Sequence, residues 1–548
     1  MASPATHAHL PRSTMIVVRA LALLLLVSSL TAQAQSPTLD PEYGQDGFAR
    51  GLAASPLFNL ESVRFVTRPD GSVYYTTITW ESAISKSRVG LQDADGEGVL
   101  TFGTDGAYGL PALAGTPTTP SSETASDIIE DSRGHAVIVG TSTAPVGDVV
   151  PAPFMLRLRP DGTPDPRFPY RRIEMGVPAY ASKVIQVGGR YLVGISTATG
   201  CGLLAVGPTG EIQSDYGADG YAVLPVGSSC GTTALDLDAS GRVLVGLNAL
   251  LDGERRAVVV RVSRTGRIDQ RYGTDGMYLP VPDLPTVLKS LVVAEDGRIH
   301  TAGYTIGDQP DKADRGFVTR GAMNGRAGTE GSLWRWFSEP LGSLSFTSDG
   351  GLAVSADGSS YVSTRVLNEA TGYRDLTIAR LDRFGRLDAS FGTGGVYTEP
   401  SILTPGGSPE RVFYSNTFLD LTPAGRLLVG GMYRTTFSYD NSVYLIGYQV
   451  DGTPQTSALA RSEATVTSSE AIRVGPNPTR GEVRIRVQTG ESVTARVFDA
   501  LGRLVATPAD GTLAEEVVWT APAGASGVYV VVIDSGEFHE VVPVTVAR

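Results

Sequence analysis

Cysteine and histidine are both scarce in this chain of 548 residues, with two of the first and five of the second. Two cysteines cannot build a thiolate zinc site, and no His cluster lies near them. His7 and His9 fall in the N-terminal stretch and His539 near the C-terminus, which leaves His135 and His300 for the middle of the chain. No Gly-x-Ser-x-Gly elbow, Walker-type phosphate loop or His-Glu-x-x-His pair is expected. Basic residues are outnumbered, 45 against 57 acids, for a net charge of −12. That balance excludes a general nucleic-acid binder, whose affinity comes from a basic surface. After the first 34 residues no run reaches 18 apolar residues, so no transmembrane helix is expected. Helical periodicity is nearly absent there too. What the chain does have is 65 Gly and 34 Pro, with 41% hydrophobic residues. This composition suits many short strands joined by tight turns around a sizeable core.

Residues 1–34 have the pattern of a secretory signal. Arg12 and Arg19 supply positive charge, Ala20-Leu21-Ala22-Leu23-Leu24-Leu25-Leu26-Val27 forms a short apolar core, and Ala32-Gln33-Ala34 offers a small-x-small cleavage site. The apolar run is too short to span ~30 Å of hydrocarbon. Export would place Cys201 and Cys230 in an oxidising compartment, where they are expected to pair as a disulfide.

From residue 39 the sequence repeats itself. An aromatic, a Gly, two residues and a second Gly recur as Tyr43-Gly44-Gln45-Asp46-Gly47, Phe102-Gly103-Thr104-Asp105-Gly106, Tyr216-Gly217-Ala218-Asp219-Gly220, Tyr272-Gly273-Thr274-Asp275-Gly276 and Phe391-Gly392-Thr393-Gly394-Gly395. A weaker copy sits at Phe168, and one copy has decayed near Trp334 and Trp336. An Asp recurs shortly before the aromatic, at 40, 215, 269 and 388. Repetition in every copy marks it as a turn cap, not a catalyst. Between anchors run apolar phrases ending in Gly, such as Arg242-Val243-Leu244-Val245-Gly246, which fit strands buried on both faces. About four short strands per repeat of roughly 58 residues predicts a β-propeller blade. The last repeat breaks off after Tyr444–Pro454, where the aromatic phrase is due, and the segment Leu39–Gly44 carries that missing phrase. The two ends therefore complement each other as a ring that closes on itself. The span predicts seven blades, with six or eight as neighbouring counts and an open solenoid as the rival. The phrase Leu-Asp-x-x-aromatic-Gly-x-x-Gly resembles the delta-60 repeat of large secreted bacterial proteins, over about residues 39–455, and that resemblance implies fold more than function.

Residues 456–472 are rich in Thr, Ser and Ala and read as a linker. Over residues 473–548 the composition and phrasing change. Pro476-Asn477-Pro478-Thr479 opens the segment, a hairpin runs through Val497-Phe498-Asp499-Ala500-Leu501-Gly502-Arg503, and Gly527-Val528-Tyr529 begins a late strand. Alternating strands here predict a small C-terminal β-sandwich. The three motifs, in this order, resemble the type A C-terminal sorting domain of the type IX secretion system. The resemblance implies recognition of Pro476, Asn477, Pro478, Gly502, Arg503, Gly527 and Tyr529 by the outer-membrane translocon. It also implies delivery to the outside, secreted or attached to the outer-membrane surface.

The chain is thus expected to be all-β: a seven-bladed propeller over 35–455 and a sandwich over 473–548. No catalytic or metal-ligating set is assigned, and no cofactor. Asp93-Ala94-Asp95-Gly96-Glu97 has the look of a calcium loop but lacks the later Glu, and its position matches a repeat turn. His135 and His300 are expected to be strand residues in polar packing. Trp334 and Trp336 are a candidate binding surface, and the polar insert 307–325 another. The functional expectation is an exported binding or structural protein for extracellular proteins or glycans, and not an enzyme. The alternatives are a secreted polysaccharide hydrolase or lyase with its site at a channel mouth, and a structural filler in a surface layer.

Overall fold

A computed structural model describes residues 37–546, apart from 51–58, 82–83, 111–114, 117–118, 121, 144–149, 228, 307–314, 323, 326–333, 338–350, 404–408, 436–437, 451–471, 476–478, 480–481, 488–491, 500–502, 514–515, 523–525 and 536–538. Among the described residues every regular element is a strand. No helix among them is long and apolar enough to cross a membrane. The predicted signal and most of the linker lie outside the described residues, as do Pro476, Asn477, Pro478 and Gly502.

Residues 38–449 form antiparallel runs of one pattern, numbered here as units in chain order. Unit 1 comprises Asn59–Thr67, Val73–Glu81, Ile84–Gln92 and Ala107–Gly109, and unit 2 comprises Ser122–Glu130, Ala136–Thr143, Ala152–Leu158 and Arg171–Arg172. A parallel pairing of Lys86 with Glu123 joins these two into one eight-stranded sheet. Units 3 to 6 are separate four-stranded sheets. Unit 3 holds Ala179–Val187, Arg190–Thr197, Gly200–Val206 and Tyr221–Val223, and unit 4 holds Cys230–Leu237, Val243–Leu251, Glu254–Val262 and Met277–Tyr278. Unit 5 holds Thr286–Val293, Ile299–Thr305, Gly316–Gly321 and Trp334–Phe337, and unit 6 holds Leu352–Val354, Ser360–Asn368, Tyr373–Leu381 and Val396–Glu399. Unit 7 is built from both ends of the repeat region. Its strands Pro409–Leu421, Arg426–Thr435 and Ser438–Gln449 are completed on the outside by Thr38–Leu39 and Phe48–Arg50, which pair with Ser438–Gln449.

The second and third strands hold most of the buried residues of each unit. Residues 136–142 are all buried, because Val137-Ile138-Val139 has apolar neighbours on both faces. The Gly that closes this phrase faces a β-bulge in the first strand, at Ser182 and Thr233 for example. A Cβ on Gly140 would lie 2.1 Å from the Thr124 carbonyl oxygen, and one on Gly303 2.0 Å from that of Val287. The glycines are therefore set by strand approach. First strands pack against first strands in chain order from unit 1 to unit 7, and the first strand of unit 7 packs against that of unit 1.

At the C-terminal end, Ile472–Gly475, Glu482–Val487 and Glu516–Thr520 form one sheet. Leu504–Leu513, Ser492–Asp499, Gly527–Ser535 and His539–Val546 form a second, in that order. Both contribute to one apolar core, with Val483, Val517 and Trp519 from the first and Val497, Val531, Ile533 and Val544 from the second.

Candidate functional site

The repeated aromatic-Gly phrase is a clasp between neighbouring units. Its hairpin turn has two left-handed residues, such as Asp46 (φ 53°) and Gly47 (φ 87°), and the ends Gln45 and Phe48 exchange hydrogen bonds of 2.9 and 3.1 Å. This is the two-residue turn that Asp-Gly favours. The Gly after the aromatic reaches out of its own unit. The Gly44 N–H donates to the Asp95 carbonyl of unit 1 at 2.5 Å, Gly103 to Asp161 of unit 2 at 2.8 Å, Gly217 to Thr265 of unit 4 at 3.0 Å, and Gly273 to Asn324 at 2.8 Å. The aromatic ring beneath is fully buried at Tyr43, Phe102, Tyr216 and Tyr272.

The recurring Asp fixes this clasp. Asp269 accepts the Arg271 N–H at 3.1 Å and the Arg261 guanidinium at 2.8 Å. That guanidinium lies 4.6 Å over the Tyr272 ring. Burial pushes the Asp269 carboxyl up, but these hydrogen bonds outweigh it and hold it below the usual carboxylate range. Asp165 repeats the arrangement with Arg157, 2.8 Å away, and Phe168. In unit 7 the third strand has Gly447 where unit 4 has Arg261. A Cβ there would come within 2.9 Å of Tyr43 and Arg426, so Arg426 of the second strand takes over, 2.5 Å from Asp40. Unit 3 departs from the pattern. The residue three before Tyr216 is Gln213, whose N–H bonds Ala205, while Asp215 is exposed and pairs with Arg190 at 3.2 Å.

His135 joins the buried network of unit 2, with Nδ1 3.1 Å from Asp131 and Nε2 3.9 Å from Asp165. Arg157 and the Tyr191 hydroxyl complete it; the hydroxyl donates to Asp131 at 2.8 Å. His300 is fully buried in unit 5, with Nδ1 2.9 Å from the Ser360 hydroxyl of unit 6. Burial, with the Arg320 cation adding to it, pushes its pKa down to about 3. His300 lies on the second strand of unit 5 as expected, but His135 is not a strand residue: it closes the turn just ahead of the second strand of unit 2, its N–H on the Asp131 carboxylate at 2.9 Å. The two are three units apart and two residues out of register, and each belongs to the packing of its own junction. Asp93 forms a turn, its carboxylate accepting the N–H groups of Asp95 and Glu97 at 3.0 and 2.8 Å.

One motif was missed in the sequence: Gly227-Ser228-Ser229-Cys230-Gly231 has nucleophile-elbow spacing. Its C-terminal half opens the first strand of unit 4, whereas an elbow leads from a strand into a helix. The Cys201 and Cys230 sulfurs lie 2.08 Å apart, with Cα atoms 6.0 Å apart, across the junction of units 3 and 4. Trp334 and Trp336 form the outer strand of unit 5, paired with Arg320 and Val318.

In the C-terminal sheets Arg503 is locked into its hairpin. Its N–H and Nε donate to Asp499 at 3.0 and 2.8 Å, while its side chain is 74% exposed. Thr479 bridges Val546, and its N–H donates to the Thr545 carbonyl at 2.8 Å, which ties the opening motif to the last strand. Gly527 and Tyr529 lie on a central strand of the four-stranded sheet, with Tyr529 against Trp519 at 5.1 Å.

No curated protein matches the chain in sequence. Among solved structures, the chain is similar to the Dos1 propeller, at 9% identity and TM-score 0.36 over 83% of this chain and 92% of that one. It is also similar to the β-propeller domain of the Trilobed protease from Pyrococcus furiosus, at 8% and 0.36 over 74% and 97%. A third is the Nup133 β-propeller domain of Vanderwaltozyma polyspora, at 8% and 0.40 over 73% and 97%. Residues 473–544 match the family model described as the secretion system C-terminal sorting domain. Residues 473–544 are thus a type IX sorting domain, and the chain that carries it is exported cargo, secreted or attached at the cell surface.

Proposed function

We propose that the chain is a closed seven-bladed β-propeller of delta-60-like repeats, exported by the type IX system to act outside the cell as a binding or structural protein for proteins or glycans. In this reading residues 1–34 are a cleaved signal, 35–455 the propeller, 456–472 a linker and 473–548 a β-sandwich that the translocon recognises. The sorting-domain match carries the reading. The circular order of first-strand contacts and the completion of unit 7 by residues 38–50 support the ring. The Cys201–Cys230 disulfide forms after export and ties blade 3 to blade 4. Pro476, Asn477, Pro478, Gly502, Arg503, Gly527 and Tyr529 make up the sorting signal, and Trp334 and Trp336 edge a candidate binding face. The extracellular partner is a protein or a glycan.

The test is export from a host with a type IX system. The full chain is expected in the medium or on the cell surface, and a chain lacking 473–548 inside the cell. Equal export of both would overturn the sorting role. A glycan array and a polysaccharide panel on the exported full chain then separate binding from turnover. Release of product would favour the hydrolase or lyase alternative.

A further inference from the structure

The repeats provide their own controls for finding a residue that the fold does not ask for. The turn between the third and fourth strands has one tip residue ahead of its left-handed Gly: Asp95, Asp161, Thr209, Thr265, Asn324 and Phe384 in units 1 to 6. Five are small and polar. The sixth is a phenylalanine that is 54% exposed. At four of the other tips the carbonyl accepts the clasp N–H of the preceding unit. Among the described residues no such bond reaches Phe384, and the unit before it carries Trp334–Phe337 as its outer strand.

The turn that holds Phe384 is rigid. The Asp382 carboxylate accepts the N–H groups of Phe384 and Arg386 at 2.8 and 2.9 Å, and the turn closes with the Asp382 N–H on the Arg386 carbonyl at 2.8 Å. From below, Arg320 of unit 5 donates to the Arg383 carbonyl at 3.2 Å. The Arg383 guanidinium lies 4.8 Å over the Phe384 ring, and Arg383 and Arg386 are both exposed. A protein with net charge −12 thus presents, on one fixed turn, an exposed aromatic ring with the Arg383 guanidinium over one face and a second exposed arginine, Arg386, two residues further on.

We infer that this turn binds a carboxylated oligosaccharide, with the apolar C–H face of a sugar ring on Phe384 and uronate carboxylates on Arg383 and Arg386. The inference rests on the extracellular binding role proposed above and names its ligand class. A single ring flanked by two arginines is small for a protein partner, which needs roughly 800 Å² on each side. It matches one sugar and its neighbours. Arginine is also the cation whose planar fork pairs with a carboxylate.

The test is titration of the exported full chain with hexameric galacturonate, its methyl ester and single-stranded DNA. Esterification keeps the ring and removes the charge, and is expected to weaken binding about tenfold, as 1.4 kcal/mol corresponds to. Phe384→Thr, the residue that unit 4 uses at this place, is expected to weaken binding about tenfold or more. Arg386→Ser should weaken it about fivefold, with unfolding of both variants unchanged. Equal binding of acid and ester, undiminished binding by Phe384→Thr, competition by DNA at equal strength, or no galacturonate binding at all would each overturn the inference. Other glycans bound at full strength by Phe384→Thr would leave the general binding role standing and remove only this site.

Discussion

Two junctions solve one contact in different ways. Where the third strand of a unit meets the first strand of the next, units 3 and 4 place Cys201 and Cys230, with sulfurs 2.08 Å apart. The same two positions in units 1 and 2 are Ser87 and Glu123. There the Ser87 hydroxyl donates to the Glu123 carbonyl at 2.8 Å and accepts the Ala125 N–H at 2.9 Å. The equivalence is fixed by the outer strands, since the N–H groups of Leu224 and Leu110 donate to the carbonyls of Cys201 and Ser87, each at 2.9 Å. Around the cysteines the packing is apolar, with Leu203, Val226, Leu247 and Val258 in one cluster. Around Ser87 there are further hydroxyls: Ser85 with Thr124 at 2.7 Å, and Ser142 on the Glu123 carboxylate at 3.0 Å. The backbone geometry of the contact is therefore independent of the chemistry that fills it. A covalent staple and an apolar seam tolerate change in their surroundings. A hydroxyl ladder has to stay fully paired, because each lost partner strands a buried polar atom.

The largest effect should come from neither contact but from breaking the buried ion pair of unit 2. Arg157→Met leaves Asp165 and Asp131 without their cation, and should lower unfolding free energy by about 3–5 kcal/mol in denaturant titrations. Next, Cys201→Ser or thiol reduction should cost about 3 kcal/mol for a loop of this length. An unfolding midpoint indifferent to reductant would show that the apolar seam suffices. The third effect depends on pH. Burial raises the Asp420 carboxyl, on the first strand of unit 7, to about 6. Its folded value is above its unfolded one, so the folded state holds the extra proton. Stability from this group is complete below about pH 4 and is lost as pH rises through 6, on the order of 2 kcal/mol. Asp420→Asn should flatten the profile between pH 4 and 7, as thermal unfolding at several pH values would show. Ser87→Ala should cost about 1 kcal/mol, and less if water replaces the hydroxyl. The smallest effect should be favourable. The hydroxyls of Tyr43, Tyr216 and Tyr272 are buried with no hydrogen-bond partner among the described residues, and the equivalent positions of units 1, 2 and 6 use Phe. Tyr216→Phe should leave the melting temperature unchanged or raise it slightly, and a fall of several degrees would reveal a partner for the hydroxyl.

What was legible in the sequence was local. The Asp-Gly turns announce their hairpins because two consecutive left-handed residues are demanded within a four-residue window. The Gly after each apolar run announces close strand approach for a similar reason. The pairing of residues 38–50 with the last strand was legible as well, since a missing phrase at one end matched a surplus phrase at the other. Contacts about 60 residues apart were not. Nothing beside Gly103 in the sequence says that its N–H reaches Asp161, or that Lys86 pairs in parallel with Glu123. The Asp preceding each aromatic is a turn cap at 40, 269 and 388, as its repetition implies, but Asp215 is one residue from its aromatic and Gln213 holds that place. Phe384 is inconspicuous in the sequence because an aromatic beside Arg is ordinary there, and only superposition on five polar tips makes it stand out.

The pairing of Thr38 with Gln449 has a mechanical consequence. The N-terminal and C-terminal ends of the repeat region depart from adjacent strands of one sheet, a single hydrogen-bonded rung apart. Tension applied between those two ends peels that ladder one bond at a time, while the other six units carry no load until it has opened.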